Sequence, residues 1–213
     1  MRLVALAIGY AFGLILSGYL FGKKKDVDIR KQGSGNIGTT NTMRILGIKV
    51  GALTLVCDCL KCVAAVVVVW LLFRTSYPEH IVLLELYGAL GAILGHDFPF
   101  FMKFKGGKGI ACSFGMILAL FPQCLPLCVL IFVLAVAITR YVSLGSILAA
   151  LGLMVQIWIF GAKGWLAFAT SDLLEAQILV SFAGILAIVL HRGNIKRLLA
   201  GNENKFSFKS KRD

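Results

Sequence analysis

The chain has 213 residues, of which 59% are hydrophobic and 15% charged. Soluble domains average about 45–50% apolar and about 25% charged residues, so composition excludes an ordinary soluble domain, a disordered chain and a disulfide-stapled secreted module. The formal net charge is +12, from 22 Lys+Arg against 10 Asp+Glu. That excess suits nucleic acid, anionic lipid headgroups or an anionic substrate, or it is the bias that orients membrane proteins.

A bilayer-spanning helix needs about 20 apolar residues. Leu3–Phe21 is the first candidate span. It lacks a small-x-small cleavage site before Lys23-Lys24-Lys25 and reads as a retained helix rather than a signal peptide. Val50–Phe73 follows, with Asp58 and Lys61 three apart on one helical face, where they neutralise each other in the bundle interior. Ile81–Met102, Val142–Phe160 and Leu173–Leu190 are also long enough. Between them, the apolar run 110–138 holds Pro122 and Pro126. As one helix it would measure about 43 Å, too long without strong tilt. Split into Ile110–Phe121 and Leu125–Ile138, it places 18 of the 22 basic residues on one side of the membrane. The positive-inside rule favours that division. The expectation is an all-α integral membrane protein of seven transmembrane helices, some short or broken. Its N-terminus lies outside and its C-terminus inside, and residues 1–213 form one domain. The six cysteines, Cys57, Cys59, Cys62, Cys112, Cys124 and Cys128, lie in apolar stretches and read as small hydrophobes rather than disulfides or metal ligands.

This topology gathers the polar, Gly-rich loops on the cytoplasmic face. The first, residues 31–44, contains a formal G-x-G-x-x-G at Gly33, Gly35 and Gly38. No strand precedes it and no G-K-[ST] follows, so neither a dinucleotide fingerprint nor a Walker A loop is supported. What remains is a glycine-freed backbone that aims N–H groups at an anion. Ser34, Asn36, Thr39, Thr40 and Asn41 add neutral donors, and Arg44 adds a fork suited to phosphate. The alternative is a tight turn whose polar groups satisfy the backbone.

In the second loop, Gly106, Gly107 and Gly109 bracket Lys108 at the start of the next helix, with Lys105 just before. Helix N-termini attract anions, so Lys105 and Lys108 are candidate phosphate contacts; simple snorkelling is the alternative. His96 is a second candidate, more often a packing residue. Ser143 in the third turn is weak alone, since it can merely cap a helix. In the tail, His191 and Asn194 share a helical face; a basic helix resting on anionic lipid is the alternative there. The inner-face acids are scattered, which disfavours a divalent metal.

Three segments together carry a specific resemblance. They are Ser34-Gly35-Asn36-Ile37-Gly38-Thr39-Thr40-Asn41, Gly95-His96 with Lys105-Gly106-Gly107-Lys108-Gly109, and His191-Arg192-Gly193-Asn194-Ile195-Lys196-Arg197-Leu198 with Gly201 and Glu203. In order and spacing they resemble the three motifs of the bacterial acyl-phosphate:glycerol-3-phosphate acyltransferases. The resemblance implies acyl transfer from acyl phosphate to the 1-hydroxyl of glycerol 3-phosphate. Lysophosphatidic acid and phosphate would be released, as the first committed step of phospholipid synthesis.

It further implies a seven-helix fold in the bacterial inner membrane with a cytoplasmic-face site, a monomer among lipids with no cofactor, no metal and no nucleic-acid partner. Carried over by position, His191, Asn194, Ser143 and Lys108 would be catalytic. Ser34, Gly35, Asn36, Gly38, Thr40, Asn41, Arg44, Lys105, Gly106 and Gly107 would bind substrate. The H-x-x-x-x-D motif of the other large glycerol acyltransferase class is absent: the fifth residue after His80, His96 and His191 is Glu85, Phe101 and Lys196. An organic-phosphate transporter is the rival from another class, but its site would lie near the midplane, usually with paired repeats, and no repeat is evident. An alcohol phosphatidyltransferase would need clustered aspartates.

Overall fold

A computed structural model describes residues 1–206, so the tail charges Lys209, Lys211 and Arg212 lie outside the described residues. Those described form ten α-helices and no strand: α1 Arg2–Gly13, α2 Ser17–Lys24, α3 Thr39–Leu46, α4 Ile48–Phe73, α5 Ile81–Asp97, α6 Ile110–Leu120, α7 Leu125–Thr139, α8 Val142–Ala162, α9 Thr170–Leu190 and α10 Arg192–Leu199. Six segments are long and apolar enough to cross a membrane: 2–24, 48–73, 78–102, 122–139, 142–162 and 170–190. The seventh expected span is α6, which has only 11 residues. At 1.5 Å per residue it covers about 16 Å, roughly half the hydrocarbon core. The long apolar run divides at Phe121, where Pro122 opens a 3₁₀ turn before α7. That is the division the charge count favours.

The first span is broken. Leu14–Leu16 interrupts it, and the carbonyls of Gly13 and Ile15 accept hydrogen bonds from Lys61 of α4 instead of from their own helix. Freed carbonyls are tolerated at membrane depth only where protein groups satisfy them. Lys61 also pairs with Asp58 at 2.9 Å, and Ser17 at the start of α2 donates to the same carboxylate oxygen at 2.9 Å.

Helices α1 and α5 cross backbone to backbone. A Cβ on Gly9 would lie 1.8 Å from the Gly88 carbonyl oxygen, and one on Gly91 would lie 2.1 Å from that of Leu6. Gly13 and Gly95 are as tightly placed, 2.4 Å and 2.3 Å from the oxygens of Ala92 and Tyr10. Small residues permit such approach, which lets membrane helices associate by packing where lipid offers no hydrophobic drive. The largest core joins α4, α5 and α6 to α8 and α9 through Leu86, Ile93, Met116, Phe121 and Ile157. Five of the six cysteines are buried, four of them in this core. A smaller core of Leu16, Ile29 and Ile37 pins the first loop onto α2. At the end of the bundle away from that loop, Arg2 makes a bidentate pair with Glu175, which also accepts from Tyr87, and His80 meets Asp172.

A side chain at the α1–α5 crossing must push two backbones apart. Gly91→Leu is expected to lower the thermal unfolding temperature in detergent, at a cost of about 1–3 kcal/mol or more. Gly193→Ala is the control. It is helical, its added Cβ meets nothing closer than 3.7 Å, and it should be neutral or slightly stabilising.

Candidate active site

The first loop is built around one amide. The Asn41 side chain is 2% exposed, and its Nδ2 faces the carbonyls of Ile29, Gln32 and Asn36 at 2.8–3.1 Å. Its Oδ1 accepts from the Ser34 backbone N–H and from Arg44. Asn36 Oδ1 accepts from the Gly38 N–H. Gly33 and Gly35 take left-handed backbones, and a Cβ on Gly33 would strike Asn41 Oδ1. Both readings of this loop are therefore partly realised: its amides and glycines fold the turn, and its cation and hydroxyls face a cavity.

That cavity has a volume of about 360 Å³. Ser34, Asn36, Gly38, Thr39, Thr40, Asn41 and Arg44 line it from the first loop and α3. Lys108 and Gly109 line it from the second loop, Ser143 and Ser146 from α8, and His191, Asn194, Glu203 and Asn204 from the tail. Leu55, Ile110, Phe132, Val136 and Val142 give it an apolar side. Four chain segments thus converge, as expected. Two buried hydroxyls on this wall, Thr39 Oγ1 and Ser143 Oγ, have no hydrogen-bond partner among the described residues, and neither does Asp58 Oδ2. Buried polar atoms are nearly always paired, so these mark where a polar ligand fits.

Lys108 donates to Asn194 Oδ1. Asn194 Nδ2 donates to Glu203 Oε1 at 3.0 Å, and Arg197 holds the other Glu203 oxygen at 2.8 Å. Burial, reinforced by the nearby Arg197, pulls the Lys108 ammonium down from 10.5 to about 8, with Glu203 opposing. Burial, with Lys108 adding to it, lowers His191 from 6.5 to about 4. His191 Nδ1 lies 2.7 Å from the Ala187 carbonyl oxygen. A carbonyl only accepts, so the ring proton sits on Nδ1 and Nε2 keeps a free lone pair. The chain after α10 folds back, with Phe206 paired to Arg140 through its backbone, and lines the cavity with Glu203, Asn204 and Phe206.

Four of the anticipated residues do not line the cavity. Gly35 spans the outer side of the loop turn. Lys105 is exposed, carried away by the left-handed residues Lys103 and Phe104. Gly106 and Gly107 turn back onto the end of α5, donating to the Asp97 and His96 carbonyls at 2.9 Å, and a Cβ on Gly107 would lie 2.0 Å from His96 Nε2. These two glycines serve close packing, and of the two lysines only Lys108 reaches the cavity. Sequence reasoning gave Asp58 and Lys61 a structural role in the bundle interior and missed that Asp58, with His96, lines the cavity. The apolar lining from α4 and α7 was also missed, having no signal beyond hydrophobicity.

The family model for glycerol-3-phosphate acyltransferases matches residues 3–201. A glycerol-3-phosphate acyltransferase of Trichlorobacter lovleyi is 41% identical over 94% of this chain and 95% of its own. One from Geobacter sulfurreducens is 39% identical over 96% and 97%. The crystal structure of PlsY (YgiH), an integral membrane glycerol 3-phosphate acyltransferase in its glycerol 3-phosphate form, superposes with a TM-score of 0.81 at 32% identity, covering 97% of this chain and 96% of that one. Its lysophosphatidic acid form gives 0.78. With a matching family model over nearly its whole length, this integral membrane protein belongs to the glycerol-3-phosphate acyltransferase family of the PlsY type.

Proposed function

We propose that this enzyme takes its acyl group from acyl phosphate and delivers it to the 1-hydroxyl of glycerol 3-phosphate, releasing lysophosphatidic acid and inorganic phosphate. We place the site on the cytoplasmic face of a bacterial inner membrane, in a monomer. The observation that carries this reading is the two-sided cavity. Arg44, Lys108 and unpartnered hydroxyls line one part, and Leu55, Phe132 and Val136 line the other. A phosphate headgroup and an acyl chain need that division. The volume lies near the lower end of the range for small-molecule sites, about 300–1,000 Å³, and suits glycerol and phosphate better than a nucleotide-bearing donor. The solved relative's glycerol 3-phosphate and lysophosphatidic acid forms agree with the acceptor and the product.

Acyl phosphate is already activated, so positioning and charge stabilisation suffice and no covalent nucleophile is required. Arg44 and the loop hydroxyls hold the glycerol 3-phosphate phosphate. Lys108, steadied by Asn194, stabilises the negative charge that grows on the departing phosphate. Ser143 offers its free hydroxyl to a substrate oxygen. His191 Nε2 accepts a hydrogen bond from the attacking hydroxyl and orients it. A base lowered to about 4 holds a proton weakly, so the proton passes on to a substrate phosphate oxygen. The acyl–phosphate C–O bond breaks as the ester forms, and phosphate leaves with the electron pair.

Purified protein given acyl phosphate and labelled glycerol 3-phosphate should form lysophosphatidic acid. Turnover that requires acyl-CoA instead would refute the donor. The scattered inner-face acids predict full activity in EDTA; loss on chelation, restored by Mg²⁺, would contradict this.

Lys108→Ala should lower kcat and kcat/KM together by about 10²–10³, as expected when a charged donor acts chiefly in the transition state. Arg44→Ala should chiefly raise KM for glycerol 3-phosphate, and Arg44→Lys should not restore it, because the planar fork is lost. His191→Ala should be more damaging than His96→Ala. Wild-type kcat/KM in both Arg44→Ala and Lys108→Ala would eliminate the phosphate cradle.

The pH profile follows from Lys108, which must be protonated to bind phosphate. Because its value is lowered to about 8, its charge is present below that pH and lost above it. kcat/KM, which reports the free enzyme, should fall as pH rises through about 8. In the substrate complex an adjacent phosphate favours the ammonium, so the limb in kcat should lie higher.

A further inference from the structure

Two of the cavity's lining residues, Asp58 and His96, belong to a buried polar cluster with no part in the chemistry described above. Lys61 is 6% exposed, Asp58 0% and His96 3%. Lys61 Nζ is 2.9 Å from Asp58 Oδ1, 2.9 Å from His96 Nδ1 and 2.7 Å from the Ile15 carbonyl. An ammonium only donates, so His96 Nδ1 accepts and the ring proton sits on Nε2. That edge of the ring faces the Gly106–Gly107 turn so closely that no side chain fits at Gly107. The same turn is tied to the end of α5 by two backbone hydrogen bonds, and Lys108 is the next residue. A single set of contacts therefore runs from α4 through the imidazole to the backbone that carries Lys108.

We propose that Lys61 and His96 are positioning residues for Lys108: the ammonium fixes the rotation and tautomer of the imidazole, and the imidazole fixes the Gly106–Gly107 backbone from which Lys108 reaches the transferred phosphate. Neither residue touches the reacting atoms in this assignment. Asp58, held by Ser17, keeps Lys61 aimed. The assignment rests on Lys108 acting as the phosphate ligand. It explains a charged residue in the membrane interior, where ionisable groups are costly and usually functional. It also explains the close glycine beside His96, which a hydrophobic filler on α5 would not require.

The test is a double-mutant cycle on steady-state kinetics, since groups acting through one another lose additivity. Asp58→Asn/Lys61→Met removes both charges together and leaves no lone ion. His96→Leu removes the ring contact, whereas His96→Gln retains an N–H near the Nε2 position. The charge-pair change and His96→Leu should each lower kcat by at least about tenfold, with a smaller change in KM for glycerol 3-phosphate. In a Lys108→Ala background the same changes should cost less than about threefold, because the group they position is gone. His96→Gln should recover most of the loss.

If the charge-pair variant does not fold, the His96 cycle decides alone, since it leaves the ion pair intact. Equal fold losses with and without Lys108 would overturn the relay while leaving Lys108 as a phosphate ligand, and so would wild-type kinetics in the relay variants. A Lys108→Ala single variant with wild-type kinetics would overturn the functional reading, and the relay with it.

Discussion

The arrangement depends on how one buried ammonium is satisfied. Lys61 sits in a membrane-spanning helix, where an unpaired charge costs at least about 2.5–3.5 kcal/mol even on insertion scales. Four acceptors surround it: one carboxylate oxygen, one imidazole nitrogen and the two carbonyls freed by the break in the first span. Each partner belongs to a different task. The carboxylate shares the lysine's helix, the carbonyls end α1 before α2 begins, and the imidazole closes α5. The break therefore needs no proline; it is held open by a donor 46 residues away.

Such a network forms only if α1 reaches α5 and α4 closely enough. The Gly9, Gly13, Gly91 and Gly95 surfaces supply that approach, and a single added Cβ there would meet backbone rather than a yielding side chain. Two constraints thus reinforce each other. Glycine packing brings the broken segment to Lys61, and Lys61 removes the penalty of breaking it. Polar satisfaction and close packing agree on one structure, the condition under which a sequence specifies a unique fold.

Much of this was legible in the sequence where one local rule governed the outcome. Proline and the charge balance divided the run 110–138 correctly, and Gly-rich polar loops pointed to one converging site. Arg44, Lys108, Ser143, His191 and Asn194 do line one cavity. The residues whose surroundings the sequence did not show are those placed by a distant partner. Gly106 and Gly107 have the composition of an anion nest, yet the end of α5 packs against both, through backbone oxygens and Pro99 at Gly106 and through the ring of His96 at Gly107. Lys105 and Lys108 are equivalent in sequence, and the left-handed turn at Lys103 and Phe104 separates them. The break at Leu14–Leu16 has no helix-breaking residue, so helical periodicity runs straight through it. Spacing makes Asp58 and Lys61 a closed pair on one helix, and it cannot show a third helix approaching with an imidazole.

The shortness of α6 bears on where the chemistry sits. The N-terminal end of this 11-residue helix lines the cavity through Gly109, Ile110 and Ala111. There the positive end of α6 faces a cavity with an apolar side, where a helix dipole stabilises an anion more strongly than at an exposed surface. On the proposed reaction, one substrate arrives from water and the other from lipid. A site charged on one wall and apolar on the other lets neither substrate leave its own solvent until the two meet.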